Sequence, residues 1–200
     1  MNQCICREGS NHARLLPRYI EELLSLAREQ NLSIEAVALS EGPGSYTGLR
    51  IGTSTAKGLC YGLNIPIIPI PTLEVLKETA RQQSSIIHHQ SATLLPLLDA
   101  RRMEVYTVIN GETKAVVVEN EDSLYEGSED VYFFGDGAAK CAQIFTRPNW
   151  HHIPDIVPEA QYMGALAEQI TNAKSVDLAY YEPYYLKEFI AAQSHVKGLK

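Results

Sequence analysis

No run of about 18 apolar residues occurs in this 200-residue chain, so it holds no helical membrane span. No secretory leader is visible at its start. The four cysteines, Cys4, Cys6, Cys60 and Cys141, form no Cys-x-x-Cys pair and no Cys/His arrangement of metal-binding spacing. Reduced thiols and a cytoplasmic location are therefore expected. Basic residues are outnumbered, 17 Lys and Arg against 24 Asp and Glu, for a net charge of −7, and no Lys/Arg cluster or aromatic–basic interleaving stands out. Non-specific RNA affinity comes from neutralising phosphates, which makes the chain a poor nucleic-acid binder on its own. The histidines fall in sequential pairs, His88-His89 and His151-His152, whose members point to different sides of a strand or helix. No His-Glu-x-x-His is present, so neither a metal site nor a catalytic residue is assigned.

Standard nucleotide and nucleophile motifs are missing as well. A Walker loop starting at Gly42 needs glycine and then lysine where Thr47 and Gly48 stand. A dinucleotide fingerprint starting at Gly42 and Gly44 needs a third glycine at Thr47. There is no Gly-x-Ser-x-Gly elbow. No internal repeat or low-complexity tract is evident. What remains is the composition of an ordinary globular protein, 45% hydrophobic and 20% charged, long enough for one core or two small lobes.

The most informative stretch is Leu39-Ser-Glu-Gly-Pro-Gly-Ser-Tyr-Thr-Gly-Leu-Arg-Ile-Gly52. Before it, residues 36–39 read as a short buried strand; after it, Tyr46–Gly62 has helical composition. A strand feeding a Gly-rich turn into a helix aims backbone N–H groups at the helix start, where they favour an anion. The bland alternative is a tight turn whose Ser45 or Thr47 caps the helix. Gly48, Gly52 and Ala56 lie on one helix face at a spacing of four, which lets a neighbouring backbone approach closely. That neighbour is either a partner helix or the protein's own lobe.

Elsewhere, Leu16, Ile20, Leu23, Leu24 and Ala27 give residues 12–29 an amphipathic helical pattern, with Pro17 expected in its first turn. Ile67–Ile70 is a short extended segment whose prolines favour an edge or a strand end. Thr72 is expected to cap a helix through Gln83. A loop over 82–90 follows. Leu94–Leu98 and Met103–Ile109 read as adjacent strands joined by Asp99-Ala-Arg-Arg102, with further strands at 114–118 and 131–134. A helix of about ten residues is expected after Gly135-Asp136-Gly137, three turns being an ordinary helix length, and another over 159–172. Alternating strands and helices in both halves predict an α/β fold.

Several of these segments carry a resemblance. Glu41-Gly-Pro-Gly-Ser-Tyr-Thr-Gly-Leu-Arg-Ile-Gly-Thr-Ser-Thr-Ala-Lys-Gly-Leu, Leu98-Asp-Ala-Arg-Arg-Met-Glu-Val-Tyr106, Phe134-Gly-Asp-Gly137 and Glu182-Pro-Tyr-Tyr-Leu-Lys187 occur in the order seen in the TsaB (YeaZ) family, over roughly residues 10–190. The resemblance implies the actin-like, Hsp70-like ATPase fold of two facing α/β lobes, the first over 1–71 and the second over 72–200, with residues 184–195 returning to the first. It also implies a non-catalytic subunit for threonylcarbamoyl-adenosine synthesis on tRNA. Its partners would be a TsaD-type transferase and a TsaE-type ATPase, or a second copy of itself when alone, with tRNA reached only through the complex and no membrane involved. The metal-binding histidine pair of TsaD has no counterpart here. Family members open with a strand ending in Ile/Leu-Asp-Thr-Ser/Ala and a hairpin partner, whereas this sequence begins Met-Asn-Gln-Cys-Ile-Cys. The first lobe is thus expected to lack its first two strands, through a start assigned too far downstream or, less in favour, an unusual lobe or completion by another chain.

The resemblance also distributes roles. Leu16, Ile20, Leu23, Gly48, Arg50, Gly52 and Ala56 would form the partner interface, with Ser54 and Lys57 available for polar contacts. Gly42, Gly44, Ser45, Thr47, Asp99, Arg101 and Asp136 would line an anion or nucleotide cleft. No tightly bound cofactor is expected; ATP or ADP would sit at a subunit interface. The Asp99, Arg101, Arg102 and Glu104 group lines the cleft, meets a partner or is a hairpin turn with local ion pairs. Asp136 is expected to be a helix cap rather than an adenosine-side residue. The rival function is a small-molecule kinase or nucleotide hydrolase that grips phosphate with Gly42–Thr47, with Glu41 as its only nearby carboxylate.

Overall fold

The protein is described by a computed structural model over residues 4, 12–84, 92–170 and 176–187. The expectations for the chain start, the loop beyond Ser84, His88-His89, a last helix reaching Asn172 and a return of residues 188–195 lie outside the described residues.

Among the described residues, two parallel strands, β1 (Val37–Gly42) and β2 (Ile67–Pro71), form the sheet of the first lobe. Side-chain alternation sends Val37, Leu39 and Ile67 to one face, where they meet Ala56 and Cys60 of α2 (Tyr46–Leu63). Ala38, Ile68 and Ile70 go to the other face, where Val75 of α3 (Thr72–Gln83) and Met163 of α5 (Met163–Ile170) cover them. The first lobe's sheet is therefore closed on one side by a helix from the far end of the chain. Helix α1 (His12–Glu29) lies against α2 but contributes no residue to a buried cluster. Pro17 sits at the sixth position of α1, not in its first turn. The bond it removes would go to the Ala13 carbonyl; both residues are exposed, so water can take that acceptor.

Among the described residues, the second lobe has two three-stranded sheets. Strands β3 (Thr93–Pro96), β7 (Val131–Phe134) and β8 (Trp150–Ile153) run parallel with β7 central. Strands β4 (Leu98–Asp99), β5 (Glu104–Ile109) and β6 (Glu112–Val117) are antiparallel. The apolar run 94–98 is thus not one strand beside 103–109. It divides at Leu97, one part pairing with β7 and the other with β5. Strand β8 was not expected, because Trp-His-His-Ile lacks the β-branched run that marks a buried strand. Phe133 and Trp150 build the main core with Leu95, Leu97, Val105 and Val131. Phe134, Leu98 and Tyr106 build a second with Leu73 and Leu76 of α3.

Two helices differ from expectation. α4 covers only Ala138–Cys141, and its cap position is Gly137. α5 begins at Met163 after a 3-10 turn at Ala160–Tyr162.

Candidate functional site

The Gly-rich segment leaves β1 at Gly42, whose φ of +123° places it where other residues are strained. A Cβ there would run into the Tyr184 carbonyl oxygen. Tyr184 belongs to a strap, residues 176–187, which returns over the first lobe. Its amide donates to the Glu41 carbonyl at 2.8 Å. Lys57 of α2 donates to the Ala179 and Tyr181 carbonyls, both at 3.0 Å. Tyr185 lies 4.7 Å from Tyr46, centroid to centroid, and Arg50 covers the Tyr46 ring at 5.4 Å. Lys57 therefore serves the strap, inside its own chain.

Hydrogen bonding around the turn is internal. Ser45 caps α2, accepting from the Gly48 amide at 3.4 Å; Thr47 is exposed and takes no part in the cap. Thr72 does not cap α3, since Pro71 holds that position. Its hydroxyl instead shares a 2.7 Å hydrogen bond with Ser40 and accepts from the Gly42 amide at 3.1 Å. The Gly42 N–H is thus already used, while Gly44 has open space beside it. Burial raises the Glu41 carboxyl above its ordinary range. The Tyr181 phenol is pushed up by burial and by Glu41.

The second cleft segment is also tied inward. Asp136 is not a helix cap: its carboxylate accepts from the Asp99 amide at 2.8 Å, joining β7's end to β4. Gly135 and Gly137 allow this close approach, because a Cβ at either would collide with the backbone of residues 97–98.

Around the β4–β5 turn, the expected ion pairs take different partners. Lys140, unanticipated from the sequence, donates to the Asp99 carboxylate and to the Arg102 and Glu104 carbonyls, both at 2.7 Å. Lys187 of the strap pairs with Glu104 and lies over the Tyr106 ring at 5.6 Å. Both acids are neutralised by lysines, and Arg101 and Arg102 have no ion pair among the described residues. Both arginines hold positive φ, +72° and +52°, at a cost of about 1 kcal/mol each.

The two faces of α2 separate by burial. Ala56 is 5% exposed and packs within its own lobe, and a Cβ on Gly52 would point at Leu39 of β1, 3.5 Å away. These two residues therefore face inward, which corrects the expectation of an outward small-residue surface. Gly48 would meet only Ser45 of its own cap. Arg50, Ser54, Gly58 and Tyr61 face solvent. On α1, Leu16, Ile20, Leu23 and Leu24 are partly covered, and near its end Leu26, Leu32 and Ile34 join Tyr61 and Leu63 as exposed apolar side chains. Tyr61 is 84% exposed and Leu32 61%.

A family profile described as TsaD: tRNA N6-adenosine threonylcarbamoyltransferase matches residues 8–192. A Haemophilus influenzae protein named tRNA threonylcarbamoyladenosine biosynthesis protein TsaB is 30% identical over 192 residues, covering 87% of this chain and 78% of that one. The chain belongs to the TsaD family and, within it, to the TsaB (YeaZ) kind. The solved YeaZ structure from Pseudomonas aeruginosa superposes with a TM-score of 0.66 at 26% identity, covering 90% of this chain and 87% of the other. A Pyrobaculum islandicum tRNA N6-adenosine threonylcarbamoyltransferase is 26% identical over 174 residues, which are 84% of this chain but 51% of that one. The TsaB member described here has the actin-like α/β fold. Among its described residues no cluster of three metal-ligating side chains occurs, and no helix is long and apolar enough to cross a membrane.

Proposed function

We propose that this chain serves threonylcarbamoyladenosine synthesis on tRNA as a protein-binding subunit, docking α1 and the outward side of α2 onto a TsaD-type transferase. The observation that carries this reading is the incompletely covered apolar surface of the first lobe. Covering Tyr61 and Leu32 in a complex would contribute about 1–2 kcal/mol each. A transferase chain of related fold can present an equivalent helix pair, giving a four-helix contact. The same surface would join two copies when no transferase is present. Arg50, Ser54 and Tyr61 replace Gly52 and Ala56 as the α2 contribution, since the small residues face inward. A TsaE-type ATPase and tRNA would join through the complex, in keeping with the net charge of −7. ATP or ADP would lie between subunits rather than in the Gly42–Thr47 turn.

The rival kinase or hydrolase has the Gly-rich turn in its favour. Against it, the Gly42 amide is engaged by Thr72, and the strap lies over the turn. Burial raises the Glu41 carboxyl above its ordinary range, so desolvation works against the charged form there.

Size-exclusion chromatography with light scattering, using the purified transferase-type subunit of the same cell, tests the proposal. Co-elution is expected, with loss of the complex in Arg50→Glu and Ile20→Asp. Arg50 is exposed but covers the Tyr46 ring beside the strap, so the unfolding midpoint of its variant is compared with that of the unaltered chain to separate lost docking from a disturbed strap. An unaltered complex in both variants would overturn this surface. Mg²⁺-dependent nucleotide hydrolysis by the isolated chain, lost in Glu41→Gln, would favour the rival.

A further inference from the structure

The strap grips both lobes and passes from one to the other within a single peptide bond. On the first lobe, Val176, Leu178 and Tyr181 pack against the cluster of Ala56, Cys60 and Ile67. Lys57 holds the Ala179 and Tyr181 carbonyls, the Tyr184 amide donates to the Glu41 carbonyl, and the Tyr185 ring meets Tyr46. The next residue, Leu186, packs against the second-lobe cluster that contains Leu98, Ala100 and Tyr106. Lys187 follows, on Glu104, the Ala100 carbonyl at 3.4 Å and the Tyr106 ring. Consecutive Cα atoms are about 3.8 Å apart, so the Tyr185–Leu186 junction has no slack. Any larger shift between the lobes must break one grip or the other.

Helix α3 is a second joint. It follows β2 with no linker, Pro71 leading straight into Thr72. Its Val75 covers one face of the β1–β2 sheet beside Met163 of α5, while Leu73, Leu76 and Ala80 enter the second lobe's core. The strap packs on the opposite face of that sheet, the face of α2. Attachments on both faces fix the angle between the lobes; one face alone leaves a hinge.

The two joints differ in strength. Leu73, Leu76 and Ala80 are fully buried, whereas Leu186 is only partly covered. The side chains of the Lys187–Glu104 pair are 36% and 26% exposed, and ion pairs open to water hold weakly. No strand pairing secures the strap among the described residues. Elements with few buried contacts are the ones that open at low cost.

We infer that residues 184–187 form a releasable clasp between the lobes, with α3 as the hinge that remains when the clasp opens. Release begins at the second-lobe end, where Leu186 and Lys187 make the weaker grip. The first-lobe grip lies directly behind the docking face proposed above, since Arg50 covers the same Tyr46 ring that Tyr185 touches. The clasp rests on these contacts and stands whether or not that face binds a transferase.

The test is double electron–electron resonance on the full chain, with spin labels at Ser54→Cys on α2 and Glu112→Cys on β6, both exposed positions. Cys4→Ser and Cys6→Ser prevent stray labelling; Cys60 and Cys141 are buried and stay. The unaltered chain should give one narrow distance. In Leu186→Ser/Lys187→Met a second, longer distance should hold more than half of the population, and in Lys187→Met a smaller share. Lys57→Met, at the other grip, should produce the same longer distance. Emission from Trp150, the chain's single tryptophan and part of the second lobe's core, should stay unchanged, which separates opening from unfolding. The proposal is overturned by one unchanged distance in all three variants, by different new distances for the two grips, or by new distances that appear only with a red shift of Trp150.

Discussion

The two lobes hide their apolar surface to different degrees. In the second, Phe133 is enclosed by Phe145 and Trp150 at ring separations of 5.1 and 6.1 Å, and the strands β3, β5 and β7 all contribute buried side chains. In the first, the clusters beneath α2 and α5 are small, α1 buries nothing completely, and large apolar side chains remain outside. Related α/β architectures thus serve different ends. The second lobe encloses its large aromatic side chains in a continuous core, while the first leaves Leu26, Leu32, Ile34, Tyr61 and Leu63 exposed around smaller clusters.

The sharpest test of this contrast is Phe133→Ala, expected to cost about 4 kcal/mol in chemical denaturation because a large cavity opens among rings. Ile20→Ala on α1 should cost less than about 1 kcal/mol, since its contacts are partial. Similar losses at the two positions would break the comparison. Between these extremes lies Gly42→Ala, where a positive φ and the Tyr184 carbonyl both oppose a side chain. A cost of about 2–3 kcal/mol is expected, together with faster proteolysis within 176–187 as the strap lifts. An intact strap would show that the turn can yield.

Smaller again is the effect of Glu121, buried in the second lobe. Burial alone would raise its pKa, but the Arg147 and Thr146 amides that donate to it prevail and hold it below the usual carboxylate range. A depressed carboxyl stabilises the fold above its unfolded-state pKa, and that contribution disappears as pH falls through the folded value. Glu121→Gln should therefore lower stability by about 2 kcal/mol at neutral pH and by progressively less in acid, measured by denaturation at several pH values. A constant difference across pH would remove the carboxylate's special part. The smallest effect belongs to Lys187→Met, about 0.5–1 kcal/mol, because its partner Glu104 is only partly shielded from water.

Local patterns made much of this legible. The periodicity of residues 12–29, the strand–turn–helix grammar around Gly42 and the run 131–134 depend on residues close in sequence, and the structure places elements there. The site was less legible, because its bonds join distant segments. Thr72 has the chemistry of a cap but serves β1, and Asp136 likewise serves Asp99. Lys140 gave no signal because a single lysine in a short helix looks like solvent-facing charge. The inward turn of Gly52 and Ala56 follows from where β1 lies, which small-residue spacing does not encode. Strand β8 escaped because its partner β7, rather than its composition, makes it extended.

The strap carries a consequence for synthesis. Lys57 waits for carbonyls 122 and 124 residues later, and the β1–β2 sheet waits for α5 to cover its second face. Chain leaving a ribosome in order would make the first lobe's elements early yet close them last. Until residues 163–187 emerge, that lobe would have an uncovered apolar face, a natural window for a chaperone or a partner to engage the nascent protein. The half made first is thus the half finished last.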